Sequence, residues 1–278
     1  LLQGGLGNGD FGLIFGNPGG GKSWSLVALG AHAVKLGYNV LHYTLELGEQ
    51  YVGRRYDAYF SKIGVDKIQK HKDKIESIME DLKGNLIIKE FPTGKATMST
   101  IESHIQKVKD TGIEPDLIII DYVDLLSSKR KTVDRKGEID DIYTSTKGLA
   151  RELDIPVWSV SQVNRAGAKD NIVEGDKAAG SYDKIMITDV CISLSRQRKD
   201  KVEGTGRFHI MKNRYGMDGL TFGVKADTST GHFEVSNELY QEGEEDNDNT
   251  SSPQTNSFSG IDKFDRSELQ KKFFELNT

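Results

Sequence analysis

Phe11-Gly12-Leu13-Ile14-Phe15-Gly16-Asn17-Pro18-Gly19-Gly20-Gly21-Lys22-Ser23-Trp24-Ser25-Leu26-Val27 is the stretch on which the fold turns. An apolar run of strand character leads into G-x-x-x-x-G-K-S, and an amphipathic helix follows. Gly16, Gly19, Gly20 and Gly21 let the backbone curl so that successive N–H groups and the helix N-terminus face an anion. Asn17 and Pro18 complete the turn, Lys22 brings a mobile positive charge to the β- and γ-phosphates, and Ser23 offers a hydroxyl to Mg²⁺. A nucleotide-binding cradle is therefore expected to run from Gly16 to Trp24. A merely structural Gly-rich turn is the rival reading, and the strand and helix flanks weigh against it.

Outward from this stretch, the helix should run from about Lys22 to Leu36 and stop at Gly37. Asn39 to Leu45 reads as the next strand and delivers Glu46 at its end; helical stretches over 48–62 and 66–83 and a strand over Leu86 to Lys89 follow. Ser99 is expected to cap a helix to about Asp110, with Glu102 completing a capping box. Leu117-Ile118-Ile119-Ile120-Asp121 is a continuous apolar run closed by a carboxylate, the pattern of a central parallel strand buried on both faces. A basic loop containing Lys129, Arg130, Lys131, Arg135 and Lys136 leads to a helix over 138–153. Then come a strand from Pro156 to Gln162 and a loop over 163–177. Three strand-like segments, 189–195, 206–213 and 219–226, close the pattern with no helix expected between them. The whole predicts an α/β fold: a mostly parallel, twisted sheet flanked by helices, with antiparallel strands at one edge.

The 278 residues are 36 % hydrophobic and 28 % charged. No apolar run approaches the ~18 residues of a membrane span, and no signal peptide opens the chain. A soluble, cytoplasmic protein with no membrane partner is the expectation. The sequence starts without Met on a Gly-rich turn, which suggests that a segment upstream is missing. The single Cys191 lies in an apolar run and is expected to be a buried thiol outside any redox or metal chemistry. The net charge of −5 falls on six acids between 237 and 250 that have no base among them, so residues 1–236 carry about +1 and leave room for a nucleic-acid partner. Three regions are expected: a folded domain over 1–236, an acidic disordered linker over 237–260, and a short amphipathic helix over 261–278. In that helix Leu269, Phe273 and Leu276 share one face, suited to a groove on a partner or to its own domain.

Ligands of open α/β sheets bind outside the carboxyl ends of the strands, where the phosphate loop, Glu46, Asp121 and Gln162 converge. Asp121 is the expected acid of the Mg²⁺ shell beside Ser23. Glu46 either orients and deprotonates the water that attacks the γ-phosphate or is a solvated strand-end acid; its position leaves both open. Gln162 cannot act as a base, but its amide can bond both γ-phosphate and water and so report hydrolysis to the loop that follows. Asn164, Arg165, Lys169 and Lys177 in that loop, with Lys129, Arg130, Lys131 and Arg135, suit contacts to a nucleic-acid backbone, or are simply solvated. Lys212 and Arg214 end a strand with no acid beside them in sequence; a guanidinium there could cross a subunit boundary to a neighbour's γ-phosphate.

Taken together, GNPGGGKS (16–23), TLELGEQYVGRRYDAY (44–59), KEFPTG (89–94), LIIIDYVDLL (117–126), SVSQVNR (159–165) and KNRYG (212–216) resemble the RecA-like motor domain of DnaB-type replicative helicases, specifically their tailed-phage relatives. The likeness covers about residues 3–235. It implies a RecA-like phosphate-loop ATPase core in which Lys22 and Ser23 bind phosphate and metal, Glu46 is the catalytic glutamate, Asp121 the Walker B acid and Gln162 the γ-phosphate sensor. Arg214 would be an arginine finger given in trans with Lys212 beside it, and Arg55 a residue near the nucleotide. It further implies hexameric rings around single-stranded DNA that move 5′ to 3′, loops at 126–137 and 163–180 lining the channel, a primase or helicase loader as partner, and the cytoplasm of a bacterial host. The family's N-terminal domain and linker helix have no counterpart in the matched stretches. RecA/RadA-like recombination ATPases and KaiC-like regulatory ATPases share the phosphate loop and are the rival readings.

Overall fold

The computed structural model describes residues 5–128, 135–163, 172 and 182–240. Its strands are β1 (Phe11–Gly16), β2 (Val40–Thr44), β3 (Leu86–Glu90), β4 (Leu117–Asp121), β5 (Val157–Gln162), β6 (Val190–Ser195), β7 (Thr205–Asn213), β8 (Thr221–Asp227) and β9 (His232–Leu239). The helices are α1 (Lys22–Leu36), α2 (Glu49–Ser61), α3 (Lys72–Glu80), α4 (Met98–Lys109), α5 (Arg135–Leu153), α6 (Tyr182–Ile187) and α7 (Arg198–Glu203). One sheet has the order β3-β2-β4-β5-β1-β6-β7-β8-β9. Its first six strands run parallel, and β7, β8 and β9 add antiparallel at one edge, as expected.

Period-two alternation divides the core between the two faces of the sheet. Phe11, Leu13 and Phe15 of β1, Leu41 and Tyr43 of β2, and Ile118 and Ile120 of β4 join the helices α4 and α5 through Ile101, Ile105, Tyr143 and Leu149. Ile14, Val40 and Ile119 face the other way, onto Leu26, Val27 and Val34 of α1 and Val52 and Tyr56 of α2. Cys191 is a buried free thiol whose pKa burial raises well above the ordinary range. The parallel strands need both faces covered, which is why the β1 and β4 runs are apolar throughout. Helices α1 and α2 approach closely at Gly30, where a Cβ would stand 2.3 Å from Tyr56 Oη and 2.9 Å from Ile119 Cδ1. Tyr56 Oη is in turn 2.8 Å from His42 Nδ1 in the same buried layer. No side chain larger than hydrogen fits there.

The structure departs from the sequence reading in five places. The helix after β3 starts at Met98 with Thr97 at its N-cap and Thr100 completing the box, instead of Ser99 and Glu102; Thr97 N–H donates to Thr100 Oγ1 at 3.2 Å. The expected helix over 66–83 is a 3₁₀ turn, Ile68–His71, followed by the shorter α3, since only Ile68 and Ile75 are buried there and little apolar surface supports a longer helix. Arg135 is not in a loop. It opens α5, with Nη1 donating to Glu138 Oε2 at 3.0 Å and Nη2 to Asp124 O at 2.9 Å. A short helix, α7, stands between β6 and β7 because Asp200 caps it, accepting the Gln197 N–H at 2.6 Å, and Gly204 ends it. Finally, β9 is an unexpected ninth strand. Its side chains are mostly exposed, so its polar composition carried no strand signal; pairing with β8 holds it, and it continues past 236 to Leu239.

Gly30→Ala is expected to cost ~1–3 kcal/mol by overpacking, read as a lower urea midpoint at unchanged slope. Combined with Tyr56→Phe, which removes the nearest clashing atom, the loss should be smaller than the sum of the two single losses. Strict additivity would refute this account of the α1–α2 contact.

Candidate active site

The carboxyl ends of β1, β2, β4 and β5 open into one cleft of about 360 Å³, lined by residues 18–24, Glu46, Arg55, Asp121, Gln162 and Thr228 among others. Parallel pairing sets this convergence. Gly16 lies beside Gln162 across β1 and β5, and Thr44 beside Asp121 across β2 and β4. The phosphate loop reaches α1 through Gly21, whose φ of 97° only glycine adopts at low cost. Lys22 opens α1 and folds back, its Nζ donating to Gly16 O and Asn17 O at 2.9 Å each. Burial lowers its pKa to about 8, against the opposing pull of Asp121 and Glu46.

Asp121 is 1 % exposed. The Ser23 hydroxyl donates to it, but burial dominates and raises its pKa to about 6. Its Oδ1 has no hydrogen-bond partner among the described residues. A buried carboxylate oxygen left open beside a serine hydroxyl fits a hard divalent cation. Among the described residues no cluster of three His, Cys, Asp or Glu side chains could hold a metal by itself. The donor set therefore suits Mg²⁺ shared with phosphate oxygens and water, and not a closed structural metal.

The outer wall is aromatic and cationic. The Arg55 guanidinium lies 5.0 Å from the centre of the Trp24 ring. Burial lowers its pKa, and Asp121 and Glu46 oppose that shift. Trp24 meets the β8–β9 turn, where a Cβ on Gly231 would come within 2.9 Å of its ring, and Thr228 of that turn lines the cleft. Thr228 gave no sequence signal because β9 itself gave none. Lys201 of α7 was also missed: its Nζ is 3.6 Å from the position of a Cβ on Gly19, and its charge acts on Lys22. Beneath the loop, buried Arg196 donates to Thr205 O at 2.7 Å and Ala226 O at 3.0 Å, tying β6 to β7 and β8.

The cleft thus gathers Pro18, Gly19, Gly20, Gly21, Lys22, Ser23, Trp24, Glu46, Arg55, Asp121 and Gln162. Arg214 and Lys212 are elsewhere. Because β7 runs antiparallel and Asn213 pairs with Val190, they lie at the opposite end of the sheet, about 17 Å away at the rise of a strand. Lys212 Nζ donates to Ile185 O and Met186 O at 2.8 Å each. Arg214 has the acid partner that local sequence did not reveal, Asp189, at 2.8 Å. Lys129, Arg130, Lys131, Asn164, Arg165, Lys169 and Lys177, and the segments 237–260 and 261–278 apart from residues 237–240, lie outside the described residues.

A phosphate loop on a central parallel strand, with acids at the ends of two neighbouring strands and a polar sensor on a third, defines a RecA-like nucleotide-binding ATPase fold. Residues 1–233 match the family model described as the DnaB-like helicase C terminal domain, and the chain belongs to the DnaB-like helicase family. It is 26 % identical over 232 residues to the DnaB-like replicative helicase of Enterobacteria phage T4, covering 78 % of this chain and 48 % of that protein. It is likewise 26 % identical over 251 residues to a probable plasmid replicative DNA helicase of Chlamydia psittaci, covering 84 % and 53 %. The chain spans about half the length of these relatives. Among solved structures, a DnaB-like replicative helicase studied for its interactions with primase superposes with a TM-score of 0.72 at 21 % identity, covering 82 % of this chain and 58 % of that one. Membership favours the helicase reading over the RecA/RadA-like and KaiC-like ones, and implies a nucleotide site with a divalent metal. Among the described residues no helix is long and apolar enough to cross a membrane.

Two outcomes are expected of the cleft. Since burial raises the pKa of Asp121 from 3.8 to about 6, the metal-free fold loses stability as pH rises between those two values and carries the full penalty of the buried charge above them. Asp121→Asn should therefore raise the metal-free melting temperature at pH 7.5 by ~3 °C while abolishing hydrolysis; a lower melting temperature would contradict the assignment. Bound phosphate restores the charge of Lys22, so nucleotide binding takes up a proton above pH 8. Affinity should be flat below pH 8 and fall by up to ~10-fold per pH unit above it. Calorimetry in buffers of different ionisation enthalpy measures that uptake, and Lys22→Met should lack it.

Proposed function

We propose that this chain is the motor of a replicative DNA helicase: it hydrolyses ATP with Mg²⁺ at interfaces between six copies, moves 5′ to 3′ on single-stranded DNA and unwinds duplex at a fork. Lys22 leaves the Gly16 and Asn17 carbonyls to hold the β- and γ-phosphates, with the backbone N–H groups of Gly19 to Ser23 around them. A bound Mg²⁺, held by Ser23 and Asp121, would neutralise charge developing on the β- and γ-phosphate oxygens. Glu46 accepts the proton of the attacking water, and Gln162 bonds the γ-phosphate and relays its loss to the segment that follows β5. Trp24 and Arg55 close one side of the cleft. Basic residues at 129–135 and 164–177 grip the DNA backbone with slight sequence preference and strong salt dependence. A primase or a helicase loader is the natural further partner in the cytoplasm of a bacterial host. The segment 241–260 serves as a tether and 261–278 as a docking segment.

The observation that carries the reading is the position of Arg214. Among the described residues that line the cleft the guanidinium is that of Arg55, which lies against Trp24 in the side wall, while the half-exposed Arg214 at the far end of the sheet cannot reach the cleft within one subunit. A head-to-tail ring brings the two together.

The test is steady-state ATP hydrolysis with and without single-stranded DNA. Arg214→Ala and Glu46→Gln should each lose at least ~10³-fold, and a 1:1 mixture should regain DNA-stimulated activity, because an Arg214→Ala cleft then meets the finger of a Glu46→Gln subunit. Normal hydrolysis by Arg214→Ala would sink the interface reading.

A further inference from the structure

Asp189, immediately before β6, is fully buried at the end of the sheet opposite the cleft. Its Oδ2 accepts the Phe11 N–H at 2.8 Å and pairs with Lys147. Lys147 Nζ also donates to Gly9 O at 2.9 Å and lies 3.7 Å from Asp10 Oδ1, which takes the Tyr215 hydroxyl. On its other oxygen, Arg214 Nη1 lies 2.8 Å from Asp189 Oδ1. That approach is not aligned as a hydrogen bond, for Oδ1 accepts none among the described residues. The backbone is fixed independently, Arg214 N–H donating to Asp189 O at 3.0 Å.

Two cations therefore share one buried carboxylate, and they do different work. Lys147 is 12 % exposed and, with the Phe11 N–H, offsets the cost of burying the charge. Arg214 is 45 % exposed and is not needed for that. Its guanidinium carries five donors in a rigid fork, one nitrogen is drawn to Asp189, and the 45 % exposure of the side chain leaves the fork open to solvent. We propose that Asp189 is the positioning residue for Arg214: its carboxylate, neutralised by Lys147 and Phe11, holds the guanidinium from behind and aims its free N–H groups at the γ-phosphate bound by a neighbouring copy. This rests on the reading of Arg214 as a finger supplied in trans. Holding the fork beforehand spares the ordering that a free arginine pays on reaching the phosphate.

Asp189→Asn in the full chain should lower kcat of the DNA-stimulated hydrolysis ~10- to 100-fold and leave KM for ATP within about twofold, since the subunit's own cleft does not contain Asp189. In an Arg214→Ala background the same substitution should cost nothing further. Mixed 1:1 with Glu46→Gln, Asp189→Asn should regain activity as Arg214→Ala does, because its cleft then meets an intact Asp189–Arg214 pair. If the Arg214→Ala mixture recovers and the Asp189→Asn mixture does not, Asp189 acts inside its own subunit; the positioning role is wrong and the finger stands. If neither recovers, the finger reading fails and this proposal with it. Full kcat in Asp189→Asn also overturns it. Should the asparagine variant not fold, Asp189→Glu keeps the charge and the Lys147 pair but moves the carboxylate; it should show the same kcat loss and rescue in trans, and unchanged kcat there overturns the proposal.

Discussion

A loop that binds phosphate with backbone N–H groups holds its shape only if the strand before it and the helix after it cannot move. Everything else in this fold serves that constraint. Strand β1 is paired on both sides, to β5 and β6, and all six of its residues are buried. Helix α1 is pinned against α2 where Gly30 admits Tyr56. Because the neighbouring strands run parallel to β1, their ends are delivered to the same rim, and the chemistry at that rim is a consequence of strand direction.

The parts of this arrangement visible in the sequence are those where local composition and local structure agree. The run Leu117 to Asp121 reads as a strand because it is buried on both faces and so has no polar interruption until its last residue. Residues 16–23 read as a phosphate loop because the turn demands glycine at fixed places. Strand β9 was hidden for the opposite reason: it is stabilised by main-chain pairing with one neighbour, which leaves its side chains free to be polar. With β9 hidden, Thr228 and the contact of Gly231 with Trp24 were hidden too. Lys201 and Asp189 fall in the same class. Each matters through a partner far away in sequence, Gly19 for one and Arg214 for the other, and no spacing rule links them.

Charge is divided along the length of the strands. At one end the acids Glu46 and Asp121 face Lys22 and Arg55, and burial pulls Lys22 and Asp121 away from their ordinary titration ranges in opposite directions. At the other end Asp189 gathers Lys147 and Arg214. Residues of β1 and β6 connect the two, since Phe11 donates to Asp189 and Gly16 begins the phosphate loop five residues later in the same strand. The central strand therefore has a carboxylate-bound cation at one end and a cation-bound carbonyl at the other.

The two tryptophans of the chain have different fates in this plan. Trp158 is 5 % exposed inside the sheet, its ring filling the space that a side chain on Gly12 would need. Trp24 is partly exposed on the cleft wall under the Arg55 guanidinium. One indole is thus sealed from solvent whatever the cleft holds, while the other has its π-face against a charge that also faces Asp121 and Glu46. The two indoles are set apart as optical probes: an event in the cleft has Trp24 within its reach and leaves the environment of Trp158 as it was.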